Sequence, residues 1–299
     1  MKNSTPEPFF MKILNSYFFI LVITISFLGC TADSTNNDPD DSDNVLAYSE
    51  QLNVPYGSED KQTFDIYLPA NRTIDTKVML LVHGGGWTSG DKTDMSAIKD
   101  LIRQDLPNLA IVNLNYRLSD GNSIPFPMQI DDISAVINHL KTKQTEYVIS
   151  NDFGFIGTSA GAHLSLLWSY KSDSGSDIKM ACSIVGPTNF TDPAYLENED
   201  PTLQALIDLY GEVLVTPFLE AFSPYHQATS SAPPTILFYG GQDPLVPTTQ
   251  GTDMRDKLQE LGVTHEFTLY PNAGHGWEGD DLIDTWQKLM LFTETYLMQ

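Results

Sequence analysis

The sequence predicts an α/β fold, with a mostly parallel central sheet, helices on both faces and a small cap or lid insertion. Three observations point there. Short apolar runs alternate with amphipathic stretches of helical spacing along most of the chain. The run Val78–Val82 is apolar throughout, as a strand buried on both faces requires. The chain has 299 residues, 41% of them hydrophobic, which is enough for one large core.

Taken in order, Thr63–Leu68 and Val78–Val82 read as strands. Ser96–Arg103 reads as a helix with Ile98, Leu101 and Ile102 on one side. Ala110–Leu114 is a strand. Met128–Leu140 is a helix whose Asp131 and Asp132 lie near the N-terminal end favoured by the dipole. Phe153–Ile156 is a short strand running into Gly157, and Ala160–Trp168 a helix. Met180–Val185 and Thr235–Tyr239 are further buried strands. Met254–Leu261 is an amphipathic helix stopped by Gly262; Glu266–Leu269 is the last strand and Leu282–Tyr296 the closing helix. The stretch 186–233 breaks this rhythm with Pro187, Pro193, Pro201, Pro217 and Pro224 and short helical pieces at Leu203–Tyr210 and Pro217–Phe222. It is too long for a tight connection and is expected to form a lid over the site.

The N-terminus reads as an address. The apolar run Tyr17–Leu28 follows Lys12 and ends at Leu28-Gly29-Cys30. It is shorter than the ~20 residues of a membrane span but suits a signal peptide. Residues 1–29 are expected to be a signal peptide that is removed, leaving an acylated Cys30. Residues 30–46 form an acidic tether, with five Asp and no Lys or Arg between Thr31 and Asn44. Residues 47–299 remain as the catalytic domain. This organisation resembles that of bacterial outer-membrane lipoproteins. Contact with a membrane is thus expected only through the lipid anchor. The formal charge of −23 argues against nucleic-acid partners and against docking on anionic lipid. Two cysteines make no disulfide framework, no dense Cys/His spacing suggests a metal, and Cys182 reads as a buried thiol.

The chemistry concentrates in four motifs. Gly157-Thr158-Ser159-Ala160-Gly161 lies between a predicted strand and a predicted helix, the context of a nucleophile elbow, so Ser159 is the candidate nucleophile. His83-Gly84-Gly85-Gly86-Trp87 follows the strand Val78–Val82. Acyl transfer builds charge on a carbonyl oxygen, and glycines let backbone N–H groups turn toward it. Gly85 and Gly86 are the candidate oxyanion-hole residues, with the amide of Ala160 as their partner. His83 reads as a brace for this loop, and Trp87 as a substrate-binding wall. A serine also needs a base and an orienting acid. Of the six histidines, His275 in Ala273-Gly274-His275-Gly276-Trp277 follows the last strand in a glycine-rich loop and is the candidate base; His163 is the competitor. Asp243 in Gly240-Gly241-Gln242-Asp243-Pro244 follows the strand Thr235–Tyr239 and is the candidate orienter. Asp280 and Asp281 compete with it but read as the start of the closing helix.

These motifs, together with Asn115-Tyr116-Arg117-Leu118, resemble the α/β-hydrolase esterases of the hormone-sensitive-lipase-like kind. Within that kind they are most similar to the bacterial bifunctional feruloyl and acetyl-xylan esterases. The resemblance covers roughly residues 50–297. It implies the α/β-hydrolase fold and a carboxylic-ester hydrolase working without metal or cofactor.

The first functional reading is a serine esterase that removes acetyl or feruloyl groups from neutral plant polysaccharide, for which a surface lipoprotein is a fitting topology. A general short-chain or aryl esterase unrelated to polysaccharide is one alternative. A peptidase of the prolyl-oligopeptidase type shares the triad order but lacks a propeller here. A non-catalytic binding protein has no need of all four motifs.

Overall fold

A computed structural model of the chain describes residues 46–120, 124–197 and 215–299. The signal segment, Cys30, nearly all of the tether and the helical piece at Leu203–Tyr210 lie outside the described residues. Ala47–Gln299 forms one compact unit by its internal contacts.

The strands are β1 (Ser49–Pro55), β2 (Thr63–Leu68), β3 (Val78–Val82), β4 (Ala110–Leu114), β5 (Phe153–Thr158), β6 (Ile178–Ile184), β7 (Thr235–Gly240) and β8 (His265–Tyr270). The helices are α1 (Ser96–Asp105), α2 (Met128–Thr142), α3 (Gln144–Tyr147), α4 (Ala160–Lys171), α5 (Pro193–Leu196), α6 (Thr216–Ala221), α7 (Pro224–Gln227), α8 (Thr248–Glu260) and α9 (Gly279–Tyr296). The strands form one eight-stranded sheet in the order β1-β2-β4-β3-β5-β6-β7-β8. β1 and β2 run antiparallel to their neighbours, and every pairing from β4 to β8 is parallel. This is the α/β-hydrolase arrangement.

Side-chain alternation along the buried strands feeds two faces. Val78, Leu80 and Val82 of β3 enter the apolar cluster beneath α2 and α4. Met79 and Leu81 enter the cluster beneath α1 and α9. α8 packs on the first of these faces, through Met254 and Leu258 against Leu237 and Tyr239.

The order of the strands places the site. From β3 the chain crosses to β4 on one side; from β5 it crosses to β6 on the other. β3 and β5 are nevertheless neighbours, with Val82 level with Gly157. The loops leaving their carboxyl ends therefore diverge at a topological switch point, the place where ligands settle in open α/β sheets.

The short helices α3, α5 and α7 are not among the predicted elements, and two longer elements differ from expectation. β1 is not among the predicted strands, because SEQLNVP offers only Leu52 and Val54 as an apolar pair and most of it is exposed. α8 begins at Thr248 rather than Met254. Its polar first half is held by Gln250, which is fully buried and accepts from the amides of Thr188 and Asn189, both at 2.8 Å.

Candidate active site

Ser159 sits between β5 and α4 with φ +50° and ψ −119°, a strained conformation for a non-glycine residue. Two clamps hold it: its N–H donates to Ile184 O (2.8 Å), and its carbonyl accepts from His163 N–H (3.1 Å). The sharp turn demands close approach. A Cβ on Gly161 would lie 2.2 Å from Val82 O and 2.3 Å from His83 O, so only glycine lets α4 lie on the end of β3.

The hydroxyl of Ser159 donates to His275 Nε2 at 2.9 Å, and His275 Nδ1–H donates to Asp243 Oδ2 at 2.7 Å. The other carboxylate oxygen of Asp243 accepts from the amides of Leu245 (2.8 Å) and Val246 (3.0 Å). The Asp243 side chain is fully buried, while that of His275 stays 25% exposed. The loops after β7 and β8 are brought together by Gly240, whose Cβ would stand 2.0 Å from Gly274 O. The structure thus joins the three residues singled out from sequence. Asp280 and Asp281 instead open α9.

The glycine loop faces the serine. A Cβ on Gly84 would lie 3.2 Å from Ser159 Cβ. Gly85 and Gly86 have φ of +110° and +56°. Among the described residues the N–H groups of Gly85, Gly86 and Ala160 meet no protein acceptor, and Ala160 opens the 12-residue helix α4 with its dipole pointing toward the serine. His83 does brace the loop. Its Nδ1–H donates to Gly84 O at 2.7 Å and its ring stacks on Tyr116 at 4.3 Å.

The family model described as BD-FAE matches residues 64–258. The chain belongs to this family. The BD-FAE chain is 26% identical over 262 residues to Esterase LipC of Mycobacterium tuberculosis, covering 79% of this chain and 61% of that one. It is 27% identical to isoprenylcysteine alpha-carbonyl methylesterase of Arabidopsis thaliana, covering 76% and 57%. It spans about three fifths of the length of the curated relatives it matches. Among solved structures, a carbohydrate esterase from gut microbiota aligns with TM-score 0.66 at 22% identity, over 83% of this chain and 97% of that one. An acetyl ester-xyloside bifunctional hydrolase from Caldicellulosiruptor lactoaceticus aligns with TM-score 0.63 at 18% identity, over 84% and 99%. These likenesses establish the fold.

In this BD-FAE chain, two expectations need correction, on Trp87 and Asp132, and the competing base His163 falls away. Trp87 is not an open wall: its side chain is only 3% exposed and packs on Phe126, His163 and Phe190 at ring separations of 6.0, 5.5 and 5.8 Å. Its backbone, at φ +63° directly after Gly86, turns the indole under the loop. His163 is not within reach of acting as base, because both ring nitrogens are engaged elsewhere. Nδ1 accepts from Trp87 Nε1–H (3.3 Å), and Nε2–H donates to Phe222 O (2.8 Å). Asp132 does more than favour the α2 dipole. It is fully buried and takes a forked bond from Arg117 Nε and Nη2, plus the Gln62 amide at 2.8 Å.

Sequence reasoning assigned no role to Tyr116, Arg117 or Gln129. Tyr116 Oη donates toward His83 O (2.9 Å) and Gly84 O (3.2 Å). Gln129 Nε2 donates to Trp87 O at 2.8 Å, where Ser119 N–H also donates. The carbonyls at both ends of the glycine loop are therefore fixed, which sets the direction of the amides between them. The signal was available: Asn115-Tyr116-Arg117 directly follows β4, which pairs with β3, so it emerges beside the glycine loop. Among the described residues no group of His, Cys, Asp and Glu is placed to hold a metal ion.

Burial pushes the His163 imidazole down to about 4 from 6.5. Its neighbours Trp87, Phe126 and Phe190 carry no charge to offset this. The folded chain keeps this ring neutral, whereas the unfolded chain protonates it at about 6.5. Between pH 4 and 6.5 the unfolded state binds more protons, so stability is full above this window and falls as pH drops through it, by on the order of 3 kcal/mol. Urea midpoints at pH 7.5 and 4.5 should fall further in wild type than in His163→Gln. Equal losses would contradict this linkage.

Proposed function

We propose that this chain is a serine carboxylic-ester hydrolase that works through an acyl-enzyme on Ser159. The observation that carries the reading is the continuous relay from Ser159 Oγ to His275 to buried Asp243, at 2.9 and 2.7 Å, beside the glycine loop. His275 Nε2 takes the hydroxyl proton as Oγ adds to the ester carbonyl. The amides of Gly85, Gly86 and Ala160 receive the developing oxyanion at the N-terminus of α4. His275 then protonates the leaving alcohol, and its Nδ1–H keeps Asp243 as partner while the ring is cationic. Water, activated by the same histidine, releases the acid. The names of the relatives, esterases and a methylesterase, support this chemistry.

The substrate class we assign is acetyl or feruloyl esters of neutral polysaccharide. Membership of the BD-FAE family supports this, as do structural neighbours named for carbohydrate and acetyl ester-xyloside hydrolysis. The charge of −23 favours neutral over polyanionic polymers, through repulsion that salt weakens. On p-nitrophenyl esters, kcat/KM should peak between acetyl and butyryl, and xylans should release acetate or ferulate. A maximum at twelve carbons would indicate a lipase. Activity on aryl esters with no release from any xylan would leave a general esterase. Cleavage of aminoacyl-p-nitroanilides would indicate a peptidase.

The address we assign is the bacterial outer membrane, through an acylated Cys30 and the acidic tether after it. The apolar run ending at Gly29-Cys30 supports this. Cys30→Ser should release soluble protein or leave an unprocessed precursor. A normally processed, membrane-bound variant would exclude the anchor.

A further inference from the structure

We propose that His163 is a positioning residue that couples the α6 segment to the glycine loop, so that contacts on α6 are felt as turnover at Ser159. This rests on the ester-hydrolase reading. His163 is fully buried on the first turn of α4, four residues after the serine. A buried imidazole loses hydration and regains it only through hydrogen bonds. Here the two bonds go to two different elements. Trp87, which accompanies Gly85 and Gly86, gives its indole N–H to Nδ1, and Phe222 at the end of α6 receives Nε2–H.

The end of α6 depends on α4 for its partners. Terminal helix carbonyls have no acceptor role inside their own helix. α4 supplies donors to two of them, His163 to Phe222 O and Lys171 Nζ to Ala221 O (2.7 Å). The Phe222 ring stacks on Phe126 at 5.1 Å, and Phe126 in turn lies 4.9 Å from the His163 ring. A displacement of α6 is thus transmitted to the imidazole by both a hydrogen bond and ring packing. The imidazole passes it to the residue whose carbonyl anchors the glycine loop. A misplacement of oxyanion donors on the ångström scale costs about 10²-fold in rate.

The test is a double-mutant cycle on p-nitrophenyl acetate, the smallest ester of the series. If α6 were only a substrate wall, Phe222→Ala would act on KM and mainly for bulky substrates. We expect instead that His163→Leu and Phe222→Ala each lower kcat by about 10- to 100-fold with KM within about threefold. The losses should be less than multiplicative, because Phe222→Ala removes the ring packing on Phe126 and leaves the backbone carbonyl in place, and that packing reaches Trp87 in part through the imidazole. His163→Gln, which keeps a donor and an acceptor, should recover part of kcat. A second cycle of Trp87→Phe with Phe222→Ala leaves His163 intact and reads the same coupling if His163→Leu does not fold. Multiplicative losses, or changes confined to KM, would overturn the proposal while leaving the esterase reading in place. A wild type that is inactive on every ester would overturn that reading itself.

Discussion

Ser159→Ala should lower kcat on p-nitrophenyl acetate by about 10⁴- to 10⁶-fold, leaving only the rate that the glycine loop and binding supply. The fold should survive, because the Ser159 hydroxyl donates to His275 and the elbow is held through the backbone of residue 159. Combining it with His275→Ala should add almost nothing, since a nucleophile without its base and a base without its nucleophile are equally idle. Multiplicative losses would mean that the two residues serve separate steps.

Asp243→Asn should cost about 10⁴-fold in kcat with little change in KM. The carboxylate is fully buried, and one oxygen is already committed to the amides of Leu245 and Val246. An amide must keep its own oxygen toward those donors, which turns its NH₂ toward His275. The ring is then driven to donate from Nε2 rather than accept there, the wrong tautomer for taking a proton from Ser159. Stability should change far less than turnover. A loss below about tenfold would show that the buried acid is a structural partner and not the orienter.

Much of this molecule was legible because chemistry and folding ask for the same residues. Gly157 and Gly161 mark an elbow in sequence, and the same glycine at 161 is what lets α4 touch β3. The apolar strand β3 and the motif after it are contiguous, so loop and sheet edge were read together. What escaped has a physical cause in each case. β1 is an exposed edge strand whose apolar alternation is limited to Leu52 and Val54, and a turn at Asn53 with φ +55° interrupts its pairing. Gln129 lies on a helix where hydrophobic spacing assigns polar residues to solvent, yet it points inward because the Trp87 and Arg117 carbonyls need donors. Trp87 was correctly placed in the chain beside the loop. The direction of its side chain depends on a left-handed backbone, which residue type does not encode. In the sequence His163 stands as a competing base, because distance along a helix says nothing about what faces the ring.

Ser159 should become covalently acylated during turnover. The most direct measurement is intact mass after treatment with an organophosphonate ester, followed by peptide mapping. One adduct per chain is expected on the peptide containing Ser159, none in Ser159→Ala, with loss of esterase activity in proportion to labelling. An adduct on another residue, or full inhibition with no covalent adduct, would contradict it.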